Sequence, residues 1–127
     1  MFIEVTDLLR CPADHAEAYL VLLPEAMDGR EVTAGRLGCP VCHAEYAVRE
    51  GVAELGPPPA VQAGTPRLDG GGVAALLGVE GPGGYVALVG GAAVDWPAAA
   101  ALLEGVHLVA VNPPGGIGPA PGLSVVR

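Results

Sequence analysis

CPADHAE at residues 11–17 returns twenty-eight positions later as CPVCHAE at residues 39–45, and the two copies agree at five of seven places. Cysteine followed by proline, two residues before another cysteine, suits zinc. The tight turn aims both sulfurs at one point, and Zn²⁺ takes four soft ligands in a tetrahedron. Cys39-Pro40-Val41-Cys42 meets that requirement, whereas the first copy has Asp14 where the second has Cys42. The fourth ligand is therefore either Asp14, by position in the repeat, or His15, by chemistry, since imidazole is the ordinary partner of three thiolates and carboxylate is rare in closed structural sites. Ligand chemistry favours His15, so the expected metal set is Cys11, His15, Cys39 and Cys42, with zinc as the cofactor. His43, adjacent to Cys42, reads as a surface residue of the turn. The competing reading, in which the three cysteines are merely small buried hydrophobes, leaves a segment of ~55 residues with too thin an apolar core to fold unassisted.

Outward from the knuckles the pattern is extended. Residues 17–23 (EAYLVLL) and 30–37 (REVTAGRL) flank the turn-rich PEAMDG and predict two antiparallel strands. Residues 45–49 and 52–55 flank Glu50-Gly51 and predict a tighter hairpin. Residues 5–10 predict one helical turn, with Thr6 or Asp7 as cap. Residues 56–72 hold four prolines and five glycines without apolar periodicity, which is linker chemistry. Beyond them, 73–79 predicts a short helical or turn segment. YVALV at 85–89 and VHLVAV at 106–111 read as strands buried on both faces, residues 96–103 as a helix begun by Trp96, and residues 123–126 as one more strand. The predicted class is α+β, with domains at 1–55 and 73–127 joined by the 56–72 linker.

Composition narrows the function. Six arginines, no lysine and fourteen carboxylates give a formal net charge of -8, which provides little for a phosphate backbone to bind. With 51% hydrophobic residues and a mean hydropathy of +0.47 the chain is predicted to fold. The opening MFIEVTDLLR lacks the basic and apolar regions of a signal peptide, and Asp95, Pro97 and Gly90-Gly91 interrupt the most apolar stretch. A cytoplasmic protein without a membrane span is expected, and three cysteines with two in a C-x-x-C pair fit a reducing compartment.

LLRCP at 8–12 with GRLGCPVCHAEYAVREGVAEL at 35–55 resembles the zinc-ribbon family that includes the small activator subunit shared by tRNA, ribosomal and release-factor methyltransferases, with its short bacterial relatives. Tyr46, Val48, Gly51, Val52 and Leu55 fit that family's pattern, and Ala47 and Ala53 stand where it carries prolines. The resemblance implies an N-terminal zinc ribbon that serves as an adaptor for a methyltransferase-like partner. Residues 81–114 are similar to the first β-α-β of a class I S-adenosylmethionine-dependent methyltransferase, in which a glycine-rich turn after the first strand approaches the cofactor and an acid after the second binds its ribose. Here the turn is Gly90-Gly91-Ala92-Ala93 and Asn112 stands at the acid position. These departures imply no cofactor binding and no methyl transfer, so the C-terminal half is expected to be a truncated Rossmann-like β-α-β unit.

No catalytic constellation emerges. His107 lies inside an apolar run and reads as a sheet-face histidine, and no serine-histidine-aspartate set or P-loop is supported. The expectation is a zinc-binding adaptor or scaffold. Its rivals are a degenerate or incomplete methyltransferase that still binds a nucleotide-like cofactor at Gly90-Gly91 and a metal-dependent or redox enzyme using Cys39 and Cys42. Because the apolar strands outnumber the helices available to cover them, an oligomer is expected, with a second copy or a methyltransferase-like protein as partner and no direct nucleic acid.

Overall fold

The computed structural model describes residues 1–57 and 82–127. The expected linker beyond residue 57 and the expected 73–79 segment lie outside the described residues. The architecture is mixed α+β: seven strands form one sheet, with few helices. The strands are β1 (Val21–Asp28), β2 (Glu31–Gly38), β3 (Glu45–Arg49), β4 (Val52–Glu54), β5 (Tyr85–Val89), β6 (His107–Val111) and β7 (Leu123–Val126). Among the described residues, helical structure consists of 3₁₀ turns at Ile3–Leu8 and Gly90–Asp95 and the helix α1 (Trp96–Leu102).

The spatial order is β1-β2-β3-β4-β7-β6-β5. The first four strands form an antiparallel meander of tight hairpins. At the β3–β4 turn Glu50 and Gly51 both adopt positive φ, 49° and 76°, the combination that matches the right-handed twist of the paired strands. The last three strands are mutually parallel. The halves meet where β4 pairs parallel with β7, Val52 opposite Val125 and Ala53 opposite Val126.

Alternation along these strands builds two cores. Val48, Ala53, Val109 and Val126 face one side, with Val5 and Leu9 of the N-terminal segment over them. Val52, Leu108, Ala110, Leu123 and Val125 face the other, covered by Ala93, Trp96, Ala99 and Leu103. Each core draws residues from both halves of the chain. Ser124, fully buried, accepts the Phe2 N–H at 2.9 Å and bonds His107 Nε2 at 2.9 Å, while the Phe2 ring stacks on His107 at 4.8 Å between centroids. Burial lowers the pKa of His107, which favours the neutral ring, and Nε2 and the Ser124 hydroxyl satisfy one another. His107 is thus a satisfied sheet histidine.

Three local expectations change. β1 begins at Val21 and runs through Pro24 to Asp28, so most of PEAMDG is strand and only Gly29 and Arg30 turn. An edge strand tolerates proline because its outer N–H has no partner to lose, and the register shifts between Pro24 and Met27 absorb the ring. The N-terminal helical segment is a 3₁₀ turn without a side-chain cap; Thr6 is buried and its hydroxyl has no partner among the described residues. Finally, β5 is not buried on both faces. Leu88 packs under the helices, but Tyr85, Ala87 and Val89 are exposed, Val89 by 64%. β5 is the last strand of the sheet, and the N-terminal 3₁₀ turn on that face leaves an apolar groove of about 540 Å³ lined by Leu8, Leu9, Tyr85, Ala87, Val109 and Val111, among others. No helix among the described residues is long and apolar enough to cross a membrane.

Candidate metal centre

Two loops converge at one end of the meander. In the first, Leu9 and Cys11 pair antiparallel with Leu20 and Ala18: Leu20 N–H donates to the Leu9 carbonyl and Cys11 N–H to the Ala18 carbonyl, each at 2.9 Å. The loop between them presents Cys11 and His15. The second loop joins β2 to β3, closed by Cys39 N–H to the Ala44 carbonyl at 2.9 Å and His43 N–H to the Cys39 carbonyl at 3.0 Å. It turns through His43, whose φ is 60° and whose side chain is exposed. The sequence repeat therefore corresponds to two short loops, each held at its base by backbone pairing.

Cys11, His15, Cys39 and Cys42 place one sulfur or ring nitrogen each within 4.8 Å of all the others. Cys11 Sγ lies 3.7 Å from Cys42 Sγ, and Cys39 Sγ lies 3.4 Å from His15 Nε2. A tetrahedron with Zn–S of ~2.3 Å and Zn–N of ~2.05 Å has edges of about 3.8 and 3.6 Å. The four groups thus stand close to the spacing that one zinc ion imposes. No disulfide joins the cysteines, and 3.7 Å is far beyond the ~2.05 Å of an S–S bond. Asp14 is exposed and outside the group.

A second ring of contacts orients the ligands. His15 Nδ1 lies 2.5 Å from the Ala16 carbonyl; a carbonyl only accepts, so Nδ1 carries the proton and Nε2 turns its lone pair toward the cysteines. Metal-bound histidines use this arrangement to fix their tautomer. The Ala16 carbonyl, followed by Cys11, raises the pKa of His15. The Tyr46 hydroxyl, 3.3 Å from Cys11 Sγ, is the main cause that lowers the Cys11 thiol from 9.0 to about 6. The same contact pushes Tyr46 up to about 12. For Cys39, burial opposes ionisation, yet the N–H groups of Cys42 and Val41 bring its pKa below the ordinary value. At Cys42 the Ala44 N–H favours the thiolate, but desolvation and the neighbouring Cys39 and Cys11 outweigh it and raise the pKa. Its residue surface is exposed while its sulfur faces the cluster. Three crowded sulfurs, of which Cys42 resists ionisation beside the other two, are what a divalent cation relieves.

The donor set therefore fits a thiophilic, tetrahedral ion. Four protein donors would fill the shell of a tetrahedral ion, the ligand count of structural zinc sites. The C-x-x-C pair sits in a hairpin loop before β3, without the helix N-terminus that redox pairs use. No family model, curated protein or solved structure matches this chain. Sequence reasoning identified the four converging residues but missed the roles of Tyr46 and the Ala16 carbonyl. Tyr46 carried one signal, as part of the family resemblance; a backbone carbonyl carries none.

Proposed function

We propose that this chain is a zinc-binding adaptor: a zinc ribbon at the N-terminal half, continuous through its sheet with a Rossmann-like β-α-β unit that offers a protein-binding edge. The observation that carries the reading is the convergence of three sulfurs and one correctly protonated imidazole at near-tetrahedral spacing. The adaptor role draws support from the contrast between the two sheet edges. β1 is blunted by Pro24, by register shifts, and by Glu25 and Asp28, the devices that keep an edge strand from pairing. β5, YVALV, has no charge, proline or register shift and borders the apolar groove. Among the described residues no strand pairs with the outer side of β5, and such an edge beside exposed Tyr85 and Val89 invites a strand from a second copy or from another protein.

The methyltransferase association rests on the resemblance, whose shared residues have structural work to do here: Tyr46 bonds Cys11, Val48 is buried, and Gly51 takes positive φ. The rival reading as a cofactor-binding methyltransferase gains nothing from Asn112. Just after β6, with φ 47°, it places an amide where a ribose-binding carboxylate belongs. Zinc competition titrations on variants test the ligand assignment. His15→Ala is expected to weaken binding at least 100-fold and Asp14→Ala by less than about threefold; the reverse ranking overturns the proposed ligand set.

A further inference from the structure

We infer that the metal centre is a peroxide-sensitive switch, in which oxidation joins Cys11 to Cys42 and expels the metal. The inference rests on the metal reading above and adds its regulation. The three sulfurs are not equivalent. Cys39 is 3% exposed, belongs to the hydrophobic core, and its sulfur accepts the Val41 N–H at 3.4 Å. Cys11 is half-buried, and Cys42 is exposed. A solvent-borne oxidant therefore reaches the Cys11–Cys42 side of the cluster before the buried Cys39, and these two sulfurs, on opposite loops, lie 3.7 Å apart. Closing that gap to ~2.05 Å needs a shift of under 2 Å between two short hairpin loops. Recruiting Cys39 means withdrawing a core side chain and surrendering its backbone hydrogen bond. Burial selects the Cys11–Cys42 pair, and its 3.7 Å separation puts it within reach.

The chemistry balances with a hydroperoxide as the oxidant. The Cys42 sulfur attacks one peroxide oxygen, the O–O bond breaks, and hydroxide leaves and is protonated to water; Cys42 becomes a sulfenic acid. The Cys11 thiolate then attacks that sulfur, the S–O bond breaks, and a second hydroxide leaves and takes a proton. Two thiolates have lost two electrons, and one hydrogen peroxide with two protons has become two waters. The disulfide would leave only Cys39 and His15 to hold a zinc ion, two ligands where it needs four, so the ion would be released with its charge unchanged. The new S–S bond takes over as the cross-link between the loops, so the sheet persists and a dithiol reverses the step.

The test uses the full chain, with zinc content measured before hydrogen peroxide is added and release followed with a chromogenic chelator. Trypsin cleavage after Arg10, Arg30, Arg36 and Arg49 places Cys11 in one peptide and Cys39 with Cys42 in another. The expected result is stoichiometric zinc release, a cross-linked pair of these peptides in which Cys39 alone is alkylated, and full zinc rebinding after dithiol reduction. A Cys39–Cys42 disulfide, or release through sulfinic acid without any disulfide, overturns the switch. Zinc that stays bound through stoichiometric thiol oxidation, or a centre inert to excess peroxide, overturns the switch alone. Absence of zinc before peroxide is added overturns the metal reading, and the switch falls with it.

Discussion

Replacing Gly51 with alanine probes whether the meander and the C-terminal strands form one cooperative unit. Gly51 has φ +76°, and a Cβ there meets the Met1 backbone nitrogen at 3.0 Å and Pro119 Cγ at 3.2 Å. Met1 is bonded to Val32 and Glu31 on β2, and Pro119 lies in the β6–β7 connection, so the methyl group presses on both halves at once. Gly29 is the internal control, with φ +57° and nothing within 4 Å of the place a methyl group would take. The left-handed conformation costs alanine about 1–2 kcal/mol, offset by about 0.4–1 kcal/mol from the stiffer unfolded chain. Gly29→Ala is thus expected to cost roughly 0.5–1 kcal/mol. Gly51→Ala adds an overpacking cost of about 1–3 kcal/mol, for a sum of roughly 2–4 kcal/mol. At this chain length each kcal/mol moves the midpoint by about 3–5 °C, so thermal unfolding followed by circular dichroism is expected to show Gly51→Ala about 10 °C below the parent and Gly29→Ala about 3 °C below it. Equal losses for the two variants refute the packing argument. Separate melting of two transitions refutes the single cooperative sheet.

Tyr46→Phe removes the hydroxyl from Cys11 and is expected to weaken zinc binding about 10- to 100-fold; it also slows alkylation of Cys11 in the metal-free chain at pH 7, because the thiol is no longer held at about 6. An unchanged rate contradicts the assigned contact. Because Cys11 is depressed from 9.0 to about 6, the unfolded chain binds more protons across that interval. The Cys11 contribution to the stability of the metal-free chain, read as the difference between the parent and Cys11→Ser, is therefore expected to rise with pH from about 6 to 9 and to be lost as pH falls through 6. Chemical denaturation of both chains at several pH values checks the sign, and a difference that falls over that range contradicts it. At the open edge, Ala87→Lys is expected to abolish self-association while Ala26→Lys on β1 leaves it intact. Light scattering across a dilution series distinguishes them, and a wild-type chain that is monomeric at micromolar concentration removes the second copy as occupant.

The convergence of Cys11, His15, Cys39 and Cys42 was legible because ligand type and short spacing are local properties, and the repeat marked both loops. The strand runs of the C-terminal half were legible for the same reason. The β4–β7 pairing was not: it joins Val52 to Val125, and nothing in either stretch names its partner. Exposure of β5 was misread because YVALV looks identical in a central and an edge strand, and position in the sheet is a property of the whole topology. Pro24 misled toward a turn, since its compatibility with a strand depends on lying at an edge. At the centre itself, the chemistry of four side chains was written in their types, whereas the orienting Ala16 carbonyl is a group that every residue carries.

Metal content and coordination of the purified full chain test the central claim most directly. Elemental analysis of protein prepared without added metal is expected to find one zinc per chain, and X-ray absorption at the zinc edge to show three sulfurs at about 2.3 Å and one nitrogen at about 2.0 Å. A well-folded chain free of metal contradicts the account, as does a shell of two sulfurs completed by oxygen.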